Sequence, residues 1–158
     1  MPDRQRLPLI GWREWVSLPE LGVARIKAKI DTGARTGSLH AFGLENFERD
    51  GQPWVRFAIH PEQYNDATEI RVEHPVEEFR NVRSSNGQQS LRPLIVTQVN
   101  LGRYAWTTEL TLADRDAMGF RMLLGRHSIR GQFLVDPSRS YLRPRRRNRA
   151  TPGEQHPE

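Results

Sequence analysis

The residue with the clearest chemical use in this chain is Asp31, set in Ala28-Lys29-Ile30-Asp31-Thr32-Gly33-Ala34-Arg35-Thr36-Gly37-Ser38-Leu39-His40-Ala41. The lead-in alternates: Val23, Ala24, Ile26, Ala28 and Ile30 are apolar, with Arg25, Lys27 and Lys29 between them. That is the period of a strand with one buried face. A carboxylate at the end of such a strand is costly unless a tight turn supplies donors. Gly33 lets the chain fold back without a Cβ clash, and backbone N–H groups and the Thr32 hydroxyl can then bond the carboxylate. Asp, Thr and Gly are all common turn formers, so the tripeptide alone is also what an ordinary turn looks like.

Other chemistries find less support. Zinc hydrolysis usually shows two histidines one helical turn apart with a glutamate between. Here His40, His60, His74, His127 and His156 are scattered and no pair has that spacing. No Gly-rich phosphate loop ending in Gly-Lys-Ser/Thr is present. With no cysteine there is neither a disulfide framework nor a thiolate metal site. No metal and no cofactor is therefore expected.

The chain of 158 residues is one domain's worth, long enough to bury a core, and its 36% apolar content makes that core modest. No run of about 18 apolar residues exists to span a membrane, and the first residues lack the apolar centre of a signal peptide. A cytoplasmic location is the default expectation. Of the 24 basic residues five lie beyond Leu142, as do two of the 19 acidic ones, so residues 1–142 hold 19 and 17 and are near balance. Only Lys27 and Lys29 are lysine. The folded body is not expected to bind nucleic acid. The tail 143–158, charged, proline-containing and without a sizeable apolar residue, is expected to be disordered and capable only of weak, non-specific contact with it.

The elements that must position Asp31 read as β throughout. Leu7 to Val16 is apolar enough for an edge strand, with Trp12 and Trp15 as anchors, and Pro19 and Gly22 mark a turn after it. Ser38–Ala41 leaves the Asp31 turn as a short strand. Asp50-Gly51 signals a hairpin into the alternating Trp54–Ile59. Glu69–Glu73 alternates again, Val76–Val82 continues as strand, and a long hairpin turns around Asn86-Gly87. A further hairpin turns at Asn100-Leu101-Gly102-Arg103. Asp114–Met118 is helix-like for a turn, Arg126–Arg130 suits the one substantial helix, and Phe133–Asp136 returns as strand. Many strands at close intervals and almost no helix predict an all-β closed barrel or sandwich.

Ile30-Asp31-Thr32-Gly33-Ala34 resembles the active-site strand-turn of single-domain, retroviral-type aspartic proteases, and the second piece such a protein needs is here as Met122-Leu123-Leu124-Gly125-Arg126, 94 residues from Asp31 to Gly125. Together with Ile10-Gly11-Trp12-Arg13-Glu14, Arg83-Ser84-Ser85-Asn86-Gly87, Arg92-Pro93 and Leu134-Val135-Asp136-Pro137, the span from about Ile10 to Leu142 is similar to a bacterial family of retropepsin-like proteins. Its members are often named "ATP-dependent zinc protease", and some are associated with the ligase that adds glutamates to a small-subunit ribosomal protein. The resemblance implies a retropepsin-like closed β-barrel with one short C-terminal helix over residues 1–142. It also implies Asp31 as catalytic carboxylate in its Thr32-Gly33 turn, substrate contacts at Ala34, and a flap at Ser85, Asn86 and Gly87.

Peptide hydrolysis by carboxylates needs two that share one proton, their pKa values pushed apart by mutual repulsion. This chain has one Asp-Thr-Gly and no second Asp-Thr/Ser-Gly. If Asp31 is catalytic, its partner comes from a second copy of the chain, in a twofold homodimer that each Thr32 hydroxyl could brace. Arg35, Arg83 and Arg92 could line a basic channel suited to glutamate-rich peptides, and a solvated strand edge explains them equally. Arg126 is expected to pair with an acid such as Asp116 or Asp136. The other functional class open to the sequence is a catalytically inactive peptide-binding or dimerisation module on the same barrel. The intact Asp31, Thr32 and Gly33 favour the enzyme.

Overall fold

The alternation around Asp31 is realised as a long strand whose inward residues Val23, Ile26, Ala28 and Ile30 are buried, while Ala24 faces solvent. The computed structural model describes residues 6–62, 68–83, 86–114 and 119–143. The N-terminal segment divides into β1 (Leu9–Gly11) and β2 (Arg13–Leu18), where one continuous strand was expected. The break at Trp12 arises from competition for backbone partners. Trp12 N–H donates to the Arg139 carbonyl and its own carbonyl accepts from Ile30 N–H, so the two strands serve different neighbours. A 3-10 turn, Pro19–Leu21, then leads into β3 (Val23–Asp31).

After the Asp31 turn come β4 (Gly37–His40), β5 (Phe42–Arg49) and β6 (Gln52–Ile59). The β5–β6 hairpin turns on Asp50 and Gly51, both at positive φ (53° and 78°) as a tight two-residue hairpin demands. Next are β7 (Ile70–Pro75), β8 (Glu78–Arg83), β9 (Gln89–Leu101) and β10 (Tyr104–Ala113). The chain ends with β11 (Met122–Gly125), the helical turn α1 (Arg126–Ile129) and β12 (Leu134–Asp136). α1 is four residues long, one turn rather than a substantial helix. The expected helical turn at Asp114–Met118 lies, beyond Asp114, outside the described residues.

Strands β10, β4, β11, β3, β2 and β9 neighbour one another in that order, and β9 pairs back with β10, closing a six-stranded mixed barrel. The β5–β6–β7 sheet stands apart, β8 extends β9 outside the ring, and β1 pairs with β12 in parallel. β11 runs between β3 and β4, parallel to one and antiparallel to the other. All four of its residues are buried, which is why Met122-Leu123-Leu124-Gly125 reads as an unbroken apolar run rather than an alternation. The barrel interior is filled by Ile10, Leu18, Ile26, Leu39, Leu110 and Leu124, among others, all essentially inaccessible. Each such side chain contributes about 1.5–3 kcal/mol on burial.

The inward alternation of β2 includes one acid. Glu14 sits in register with Val16 and Leu18 and is 0% exposed. Its carboxylate accepts N–H bonds from Gly11 (2.7 Å), Leu142 (2.8 Å) and Arg143 (3.1 Å). Three donors offset the loss of hydration, and they strap the C-terminal segment to the start of the chain. The strap is reinforced where Tyr141 N–H bonds the Arg13 carbonyl and Arg143 Nε bonds the Leu9 carbonyl. Arg143 thus belongs to the folded body, although the sequence places it with the tail.

Candidate active site

Asp31 ends β3, half-buried, and its Oδ1 accepts the Gly33 N–H at 2.9 Å. The Asp31 carbonyl accepts Ala34 N–H, closing the turn. Among the described residues no acidic side chain contacts Asp31, and the exposed Thr32 hydroxyl has no hydrogen-bond partner.

What fixes the turn is the β11–α1 junction. Gly125 lies opposite Asp31 in the parallel β3–β11 register. A Cβ there would come within 2.6 Å of the Thr36 carbonyl carbon, 2.8 Å of Gly37 N and 2.9 Å of the Ala34 oxygen. Only glycine lets the strand pass this close. Beyond it, Arg126 and His127 N–H groups donate to the Ala34 and Arg35 carbonyls (2.6 and 3.1 Å), and Arg126 Nη1 donates to the Thr32 carbonyl at 2.9 Å. Arg126 is therefore a clamp on the Asp31 turn. It does not pair with Asp136, whose carboxyl is held below its usual range by the Ser138 hydroxyl and N–H; Asp116 lies outside the described residues. Gly125→Ala should cost about 3 kcal/mol, since neither backbone wall can give way, read as a lowered melting temperature. A loss under about 0.5 kcal/mol would show that the contact is not tight.

Arg35 projects from the exposed end of the turn and donates from Nε to His127 Nε2 at 3.2 Å. The two help line a cavity of about 190 Å³ with Trp106, Glu109, Ser128 and Gln132. The β8–β9 hairpin holds Asn86 and Gly87, the residues that the resemblance assigns to a flap. Asn86 Oδ1 accepts Gln88 N–H, and Gly87 turns the chain at φ 84°; Ser85 lies outside the described residues.

The hairpin is anchored by Arg80, which sequence reasoning missed. Its Nη1 donates to Thr36 Oγ1 at 2.9 Å, and Nη2 pairs with Glu78 and, at 3.3 Å, Glu109. Arg92 is directly opposite Arg80 in the ladder and shares its face, with Nε bonded to Ser90 Oγ. Arg83, three residues beyond Arg80, belongs by alternation to the other face. Arg35 and Arg92 are thus brought to the side of the Asp31 turn, and Arg83 is not. The scattered histidines also find structural partners: His40 and His60 flank Phe42 at 4.2 and 4.1 Å between ring centroids.

Residues 9–146 match the family described as "Retropepsin-like aspartic endopeptidase RimB". A protein named "Probable alpha-L-glutamate ligase" from Shewanella pealeana is 48% identical over 133 residues, 84% of this chain and 29% of that protein. Proteins of the same name from Desulfotalea psychrophila and Parasynechococcus marenigrum are 45% and 49% identical over 82% and 84% of this chain. The chain spans less than a third of the length of these relatives. A crystal structure of Lpg0085 from Legionella pneumophila, titled as of unknown function, superposes with a TM-score of 0.68 at 26% identity, over 85% of this chain and 97% of that one. With its Asp31 turn, its Gly125 crossing and its closed barrel, the chain belongs to the RimB-like family of retropepsin-like aspartic endopeptidases.

Proposed function

We propose that the chain hydrolyses peptide bonds as a twofold homodimer, one Asp31 from each subunit, on glutamate-rich segments. The observation that carries the dimer is the strand-end carboxylate with no acidic neighbour, beside a Thr32 hydroxyl with no hydrogen-bond partner, among the described residues. At a twofold axis, one ionised Asp31 takes a proton from water while the protonated Asp31 of the partner subunit donates to the scissile carbonyl. The hydroxide equivalent adds to the carbonyl carbon. Collapse of the tetrahedral intermediate then returns a proton to the leaving amine.

Arg35 and Arg92 on the site side support an acidic substrate, as does the name of the relatives, which is that of a glutamate ligase. Cleavage of glutamate-rich peptides should weaken as salt rises, because screening acts over about 8 Å near physiological ionic strength. Arg35→Gln should raise KM for such peptides about fivefold and change that for neutral peptides little. Equal salt dependence for both peptide classes, with Arg35→Gln harmless to each, would remove the acidic substrate and leave the peptidase.

A further inference from the structure

The near-balance of charge in the folded body conceals a segregation. Arg13 on β2, Arg25 and Lys27 on β3, Arg103 in the β9–β10 turn and Arg143 in the strap make no ion pair among the described residues. On the β5–β6–β7 sheet the opposite holds, where Arg49, Arg56 and Arg71 each bond a glutamate. The five unpaired cations share the outer wall of the barrel, and each rests on an aromatic ring. Arg25 lies 3.7 Å and Lys27 5.2 Å from the Trp15 centroid, Arg13 lies 4.6 Å from Trp12, and Arg103 and Arg143 lie 5.3 and 5.8 Å from Tyr104.

Beside them is a cavity of about 470 Å³ lined by Trp15, Arg25, Asn100, Arg103 and Tyr104. Arg25 Nε is buried there without a hydrogen-bond partner. Cations held over rings are partly pre-organised, so less entropy is lost when they bind an anion. Like cations crowded on one wall repel each other, and a polyanion relieves this.

We infer that this wall is a second binding site, distinct from the Asp31 turn, for a run of carboxylates in an acidic polypeptide. The reading rests on the acidic substrate proposed above. A polypeptide fits better than a nucleic acid because the rings are already covered. Trp15 carries Arg25 and stacks on Tyr141 at 5.8 Å, and Tyr104 meets Phe133 edge-on at 5.5 Å. Among the described residues the rings of this wall are thus already engaged, which leaves little platform for a base. Arg25 precedes Asp31 by six residues on β3, about 20 Å of strand. A long acidic chain can therefore occupy wall and catalytic turn together, and a short one cannot.

The test is binding of fluorescent oligo-glutamate, about 20 residues long so as to span both sites, to the full chain and to Arg25→Gln/Arg103→Gln. The double variant should weaken binding about fivefold and raise KM for long glutamate-rich substrates alike, with kcat and the KM of short peptides unchanged. Equal melting temperatures show that the variant is folded, and Arg103→Gln alone, on an exposed turn, should give part of the loss. Unchanged oligo-glutamate affinity overturns the wall site even if peptidase activity persists. An oligouridine bound more tightly than oligo-glutamate, and weakened by the same variant, overturns it in favour of nucleic acid. Absence of any peptidase activity with oligo-glutamate binding and its loss in the double variant intact would fault the catalytic reading and leave the wall.

Discussion

Asp31→Asn should leave a folded protein whose peptidase activity is lower by a factor on the order of 1,000 or more, the scale of general acid–base catalysis. Asparagine is nearly isosteric and its carbonyl oxygen can still accept the Gly33 N–H that Asp31 Oδ1 accepts at 2.9 Å. The turn is also held independently by Arg126 on the Thr32 carbonyl and by the α1 N–H groups on Ala34 and Arg35. Stability should therefore change by less than about 1 kcal/mol, while the asparagine can neither accept a proton from water nor share one with a second carboxyl, as the proposed mechanism requires. Chelators should leave the unmutated chain active, because no three His, Cys, Asp or Glu side chains gather among the described residues. Peptidase assays beside thermal melts check both statements. Retention of most activity in Asp31→Asn would move the chemistry elsewhere.

The second large effect concerns folding. Glu14→Ala should cost about 3 kcal/mol or more, since the N–H groups of Gly11, Leu142 and Arg143 lose their acceptor together. For a domain of this size that is a fall of about 10 °C in melting temperature. Truncation places the same strap in view. Cutting after Arg143 keeps the Glu14 and Leu9 bonds and should be nearly neutral, whereas cutting after Leu142 removes both of Arg143's bonds and should destabilise. Equal melting temperatures for the two truncations would show that the strap carries no stability.

The parts of the structure that the sequence makes legible are those set by local rules. Period-two alternation locates β3 and β6, Asp50-Gly51 locates its hairpin, and an apolar pair before glycine marks the strand that must approach Asp31. What escaped depends on partners far along the chain. Glu14 looks like one more charged residue beside Arg13, although its place in line with Val16 and Leu18 signals an inward side chain. Two of its three donors lie 128 and 129 residues away, and no periodicity announces them. Arg80 and Arg126 are likewise two arginines among many. Their roles arise because the fold brings the Thr36 hydroxyl and the Thr32 carbonyl within reach. Summed charge also misled, since cancelling totals say nothing of which wall of the barrel carries the unpaired cations.

Catalysis in this reading needs two Asp31 side chains, one from each subunit, sharing one site. Subunit mixing measures this: unmutated chain is equilibrated with increasing Asp31→Asn protein at fixed total concentration, under conditions that allow exchange. If each active unit needs two aspartates, activity falls as the square of the unmutated fraction, so a half-and-half mixture keeps about a quarter. Activity that falls only in proportion to that fraction would mean that one Asp31 suffices, and would contradict the shared site.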